Sequence, residues 1–191
     1  MKKQLKATAM TFPAPVFVIA TYNEDGTANA MNAAWGGVCG AMPPSIQVSL
    51  NTGRKTRENI LRTGCFTINI GGEDLMEVSD YFGLVSGKKE DKIAKAGITV
   101  TRSDKVDAPI LDQYPLSLEC KVADTKEIGP HLMVIGEIKG IFAEETILDE
   151  AGNISVEKLA PIGLDPVGHK YVAFREVVGH AFDIGKKYLE G

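Results

Sequence analysis

Apolar and polar positions alternate with a period of two over several stretches of this chain and follow a helical period over only a few short ones, so strands dominate the expected elements. Leu116-Ser117-Leu118-Glu119-Cys120-Lys121-Val122 alternates strictly and reads as a half-exposed antiparallel strand. Val16 to Thr21 and Ala28 to Ala34 pair through Glu24-Asp25-Gly26-Thr27, where Asp-Gly supplies the positive backbone angles of a tight hairpin. Further strands are expected at Ile46 to Leu50, Phe66 to Ile70 and His131 to Phe142, the last with Gly136 and Gly140 as bend or bulge points that suit a closing barrel. Arg54 to Leu61, closed by Gly64, predicts a short helix; Glu73 to Phe82 predicts another, and Asp91 to Ala96 a helical turn ended by Gly97. A final strand pair is expected at Tyr171 to Phe174 and Val177 to Gly179, beyond a loop over Ala160 to Pro166. The fold class is therefore mainly β with inserted helices.

Composition adds the frame. A chain of 191 residues with 44% hydrophobic content can bury a substantial core, and no Pro/Ser-rich linker or charge block divides it, so one domain over residues 1–191 is expected. The net charge of -4 argues against a general nucleic-acid binder, which would carry a basic stripe. Lys2-Lys3 and the apolar run Val16 to Ala20 faintly resemble a secretory signal, but Pro13 and Pro15 break that region. No run of eighteen apolar residues is present, so no membrane span is expected and a cytoplasmic location is the default reading. Cys39, Cys65 and Cys120 are odd in number and lack C-x-x-C spacing, which disfavours a disulfide framework or thiolate metal site. Cys65 and Cys120 read as small buried hydrophobes.

Several chemistries lack their motifs. There is no G-x-x-x-x-G-K-[ST] loop, no G-x-G-x-x-G opening a helix and no nucleophile elbow, and His131, His169 and His180 lack the spacing of a helical metal pair. What remains is a concentration of polar groups between Asn29 and Ile60. Asn29 and Asn32 lie on one expected strand with Trp35 just past its end, Ser49, Leu50 and Asn51 at the end of another, and Arg54, Lys55 and Thr56 at the start of a helix. Cations in a first helical turn oppose the dipole and cost roughly 0.3 to 1 kcal/mol each when exposed. A bound phosphate reverses that sign by accepting from the free N–H groups and pairing with the cations. Amides and Trp35 around a heterocycle, with an anionic tail at Arg54, Lys55 and Thr56, make the inventory of a flavin mononucleotide (FMN) site. Each residue also has a plainer reading: Trp35 as core, the asparagines as hairpin or bulge residues, the basic cluster and Lys92 as solvated faces, His131 as a turn residue.

The ordered series of motifs resembles the flavin reductase domain family, and within it the flavoredoxin-type members. It is carried by Asn29 to Trp35, Pro43-Pro44 leading into Val48-Ser49-Leu50-Asn51, Arg54-Lys55-Thr56 with Asn59-Ile60, Thr63 to Asn69, Ser86-Gly87 with Asp91-Lys92, and Tyr171. The resemblance implies a split β-barrel of Greek-key type that binds FMN at or near the interface of a homodimer. It places Asn29, Asn32, Ala33 and Trp35 along the isoalloxazine and ribityl chain, and Ser49, Leu50 and Asn51 at the ring or ribityl group. Arg54, Lys55 and Thr56 would hold the phosphate with Ser86 and Lys92, and His131 would approach the flavin or substrate side. The implied activity is NAD(P)H:flavin oxidoreduction, with NADH or NADPH as donor. The alternative is a flavoredoxin-like carrier passing electrons from FMN to a protein partner, and a barrel of this fold that binds another ligand or only associates with a partner is a third.

Overall fold

A seven-stranded antiparallel sheet curls until its two flanks share one apolar interior. The computed structural model describes residues 1–189. In chain order, β1 (Ala14–Pro15), β2 (Phe17–Tyr22), β3 (Ala28–Ala33), β4 (Gly36–Ala41) and β5 (Pro44–Asn51) precede helix α1 (Lys55–Thr63). Strand β6 (Cys65–Ile70) leads through a 3-10 turn at Glu73–Leu75 into α2 (Met76–Leu84) and α3 (Lys92–Lys95). There follow β7 (Val100–Arg102), β8 (Pro109–Leu111), β9 (Leu116–Ile128), β10 (His131–Ala143), α4 (Val156–Leu159), β11 (Ile162–Asp165) and β12 (Lys170–Ala173). The large sheet runs β3-β2-β6-β9-β10-β5-β4, and its flanking strands are not paired with each other. Met31 and Ala33 of β3 nevertheless pack in the same cluster as Ile46, Val48 and Leu50 of β5, which closes the apolar interior across the unpaired gap. This is a split β-barrel.

Local chemistry explains most of these elements. The hairpin turn closes with Asn23 N–H on Thr27 O at 2.8 Å and Gly26 N–H on Asn23 O at 3.1 Å, and Gly26 takes a φ of 84° that a side chain would resist. Helix α1 stops where Gly64 adopts the left-handed conformation and donates to Ile60 O at 2.8 Å. Register shifts in β10 fall between Ile135 and Gly136 and between Ile138 and Gly140, the expected bulge points. At Gly136 an added Cβ would come within 2.6 Å of the Phe66 ring, so β10 can bend over that ring only without a side chain there.

Four expectations need correction. The segment over Ala160 to Pro166 is not simply a loop, because Ile162–Asp165 forms β11 and pairs with Lys170–Ala173. Val177 to Gly179 forms no strand. The reversal is local: Asp165 Oδ1 accepts from Val167 N–H and Gly168 N–H, both at 2.9 Å, which folds β12 back on the strand before it. The strand ending at Val122 in the alternation continues to Ile128, where both faces are exposed and alternation no longer reports pairing. Of the cysteines, Cys120 is buried, with its thiol pushed up to about 12 mainly by burial, whereas Cys65 is only half-buried and Cys39 is exposed. No helix among the described residues is long and apolar enough to cross a membrane.

One buried amide ties the sheet together. Asn69, with no exposed surface, donates to Val18 O and Thr67 Oγ1 at 3.0 Å each, and accepts from Ser117 Oγ at 2.7 Å and Leu111 N–H at 3.1 Å. It thereby links β2, β6, β8 and β9. Replacing Asn69 by Leu strands those partners in a dry interior, so chemical denaturation should show a loss of about 2 to 4 kcal/mol. A loss below about 0.5 kcal/mol would contradict the hub assignment.

Candidate functional site

Helix α1 begins on an uncapped end. Arg54 occupies the N-cap in an extended conformation without a side-chain cap; Arg57 N–H donates to Arg54 O at 3.1 Å, which leaves the Lys55 and Thr56 N–H groups without an acceptor among the described residues. The helix is fixed by its buried face, where Thr56 and Asn59 are 1% exposed. Asn59 Nδ2 donates to Thr21 Oγ1 at 3.0 Å and to Asn23 Oδ1 at 2.9 Å, which docks α1 on the β2–β3 hairpin. Asn29 of β3 donates through Nδ2 to Thr56 Oγ1 at 2.8 Å, leaving the threonine hydroxyl hydrogen free to donate elsewhere.

The segment after α2 folds back over this end. Val85, Ser86 and Gly87 line a narrow cavity together with Asn29, Met31, Arg54, Lys55, Thr56 and Lys92. Gly87 lies so near β3 that an added Cβ would overlap Asn29 Oδ1. Asp91 caps α3 by accepting from Ala94 N–H at 3.0 Å, and the first residue of that helix, Lys92, is thereby turned inward. Lys92 is 3% exposed; its ammonium donates to Phe82 O at 2.8 Å and stands 5.7 Å from the centre of the Phe82 ring.

Arg54, Lys55 and Lys92 face this cavity and no carboxylate does. Burial, and then repulsion from Arg54, lowers Lys92 to about 8, only weakly opposed by Glu90. Three basic side chains, a threonine and a serine hydroxyl and two open helix amides are chemically the groups that hold a phosphate monoester dianion; the space between them is about 10 Å³, the size of one water, so side chains must give way for the anion to enter. Arg57, the other cation of the first turn, is not part of it. It points to the β9–β10 hairpin, pairing with Glu127 at 2.6 Å and donating to Thr52 Oγ1 at 3.1 Å.

A second group forms beside β5. Trp35 is 45% exposed, so it is no core residue, and its ring lies 4.7 Å from that of His131 at an interplanar angle of 42°. The register explains the pairing: His131 opposes Asn51 and Met133 opposes Ser49, while Ser49 N–H donates to Trp35 O at 2.8 Å. Trp35 and Ser49 also line a cavity of about 270 Å³ with Met10, Thr11, Gln47 and Pro166.

The thirteen residues singled out from the sequence thus divide by position. Asn29, Arg54, Lys55, Thr56, Ser86 and Lys92 converge on the anion cavity. Trp35, Ser49, Asn51 and His131 gather at the β5–β10 ledge. Leu50 and Ala33 send their side chains into the barrel core, so only their backbone is offered to a ligand. Asn32 faces away from Asn29, toward α2, because residues three apart on a strand take opposite faces. There its Oδ1 is buried without a partner, near Tyr171, whose hydroxyl donates to Asp80 at 2.7 Å. Burial and Asp80 hold the Tyr171 phenol well above its ordinary range. Met31 and Val85, which line the cavity, carry no sequence signal beyond hydrophobicity, and Gln47 was hidden in an ordinary alternation.

Lys92→Met separates anion binding from structure. It removes a buried charge, so unliganded thermal stability should rise while FMN affinity falls about tenfold or more. A lower melting temperature with unchanged affinity would make Lys92 a structural lysine. In the native chain, the proton lost on folding between about pH 8 and the ordinary lysine value of 10.5 makes stability increase with pH over that window. Affinity for a phosphate ester should weaken over the same window, as the ammonium is neutralised.

The comparisons with known proteins bear on the family and the fold. The sequence profile of the flavin reductase like domain matches residues 9–159. The structure superposes on flavoredoxin of Desulfovibrio vulgaris (Miyazaki F) with a TM-score of 0.93 and 38% identity, covering 97% of this chain and 100% of that one. A split-barrel-domain protein from Shewanella frigidimarina shares the fold at a TM-score of 0.77 and 22% identity, covering 88% and 86%. FMN reductase (NADH) RutF of Pseudomonas syringae is 28% identical over 102 residues, 52% of this chain and 53% of that protein. The chain belongs to the flavin reductase like domain family.

Proposed function

We propose that the chain binds FMN, with the phosphate among Thr56, Ser86, Arg54, Lys55 and Lys92, and works as an NAD(P)H:flavin oxidoreductase. The observation that carries the reading is the buried Lys92 beside Arg54 in a cavity free of carboxylates. Two cations held together in a dry site are stabilised by an anion between them. From there the ribityl chain and ring would follow β3 and the end of β5 toward Trp35, Ser49, Asn51 and His131. When bound, FMN supplies two-electron redox chemistry, and the protein's share is to orient it, shield one face and offer donors to its polar edge. Trp35 is 45% exposed beside His131, so part of its ring is open for a flat aromatic ligand to pack against.

A second reading has its own support. The 38% identity to a flavoredoxin over nearly the whole chain favours an electron carrier that keeps its FMN and delivers electrons to a protein partner. Either reading fits a homodimer. Val38 on β4, Met42 after it, and Ile128, Ile141 and Phe142 on the β9–β10 hairpin are exposed apolar residues that a second copy would cover.

Two measurements test these readings. Lys55→Ala with Thr56→Ala should weaken FMN by about 10- to 100-fold while the fold stays intact, and unchanged affinity would refute the phosphate assignment. Under anaerobic conditions, rapid bleaching of the flavin absorbance by NADH or NADPH is the outcome expected of the reductase. Bleaching by dithionite but not by either nicotinamide would contradict it and select the carrier.

A further inference from the structure

The anion cavity is basic inside and acidic outside. Two neighbouring pockets share lining residues with it, Gly87 in both, and are taken as its two exits. The first, between Lys55 and Gly87, opens on a basin lined by Glu24, Asp25 and Glu58. The second, past Asn29, Gly87 and Lys92, opens on one lined by Asp25, Glu90 and Asp91. Asp25 stands at both. Lys88 bridges the first exit through an ion pair with Glu58, which fastens the 85–91 segment to α1. The fit of Gly87 against Asn29 leaves no slack behind that bridge.

We propose that this seam and its acidic rim make the site selective for a flavin mononucleotide and exclude the dinucleotide, with Asp25 and Glu58 as specificity-determining residues. The inference rests on the FMN reading above and adds what lies beyond the terminal phosphate. A monoester ends in the cavity, where every charged side chain is a cation. A dinucleotide must carry its second phosphate out through one of the exits. At the first, the Lys88–Glu58 pair has to open, and the phosphate then meets Glu24, Asp25 and Glu58; at the second it meets Asp25, Glu90 and Asp91. The rim stays charged at neutral pH. Thr27 donates to Asp25 Oδ1 through its hydroxyl at 2.6 Å and its N–H at 3.0 Å, and the Lys88 contact favours the Glu58 carboxylate. Lys88 offsets Glu58 and Lys95 offsets Glu90 in their ion pairs, and Lys55 also faces the anion cavity, so Glu24 and Asp25 at the first exit and Asp25 and Asp91 at the second carry the remaining negative field.

The test is fluorescence titration of flavin-stripped protein with FMN and with FAD, for the native chain and for Asp25→Asn combined with Glu58→Gln. Both positions are exposed, and the amides introduced there keep a carbonyl oxygen as hydrogen-bond acceptor, so circular dichroism should show an unchanged fold. The native chain should prefer FMN by about a hundredfold, and the double variant should gain FAD affinity about fivefold or more with FMN affinity nearly constant. Native FMN and FAD affinities that match would overturn the proposal. So would a preference for FMN that the double variant leaves untouched, which would retain the FMN reading. Failure of the native chain to bind either flavin would sink that reading and the selectivity with it.

Discussion

A lysine ammonium cannot be taken out of water beside a guanidinium without cost, and the region around α1, α2 and α3 is built to impose that arrangement. Lys92 is held by one backbone carbonyl and the edge of the Phe82 environment, with Arg54 raising its energy further. The surrounding structure supplies the restraint. Asp91 caps α3 and sets the direction of Lys92, Gly87 lets the preceding segment press against Asn29, and the Lys88–Glu58 pair closes it on α1. Strain of this kind persists where a ligand later relieves it, which is why stability and function pull in opposite directions at this residue.

The barrel gives that region something rigid to stand on. Strand β3 serves two cores at once: Met31 and Ala33 face the barrel interior, while Ala30 packs in the outer cluster with Phe82 and Ile93. Its position is therefore fixed from both sides, and Asn29 at its start is fixed with it. Helix α1 is set by Asn59 against the same hairpin, so Thr56 and Asn29 meet at a defined distance without depending on a mobile loop. The β5–β10 ladder fixes the other group, because the same register that closes the barrel places His131 opposite Asn51 and beside Trp35. One architecture thus presents an anion cavity and an aromatic ledge together.

How much of this was legible in the sequence depends on how local its signal is. The β2–β3 hairpin, α1 and its Gly64 cap, and the bulges at Gly136 and Gly140 follow from turn chemistry and short-range periodicity, and they stand as read. Strand β4 was missed because Gly36, Gly37 and Gly40 erase any alternation, and β11 because its partner is made by an Asx turn at Asp165 and not by pattern. At the site, Arg54 and Lys55 were visible as cations against a helix dipole, with the Thr56 hydroxyl beside them. Lys92 was named only through the family resemblance: within Lys88-Lys89-Glu90-Asp91-Lys92 it looks like one more solvated charge, and only the cap at Asp91 turns it inward. Asn32 shows a different limit, since proximity in sequence to Asn29 hides the alternation that sends the two side chains to opposite faces.

The most direct measurement is a crystal structure of the protein with FMN bound. The account predicts the phosphate within hydrogen-bonding reach of Thr56 Oγ1, Lys92 Nζ and the first-turn amides of α1, with the ring extending toward Trp35 and His131. A phosphate outside this cavity, or a ring seated away from the β5–β10 ledge, would contradict it.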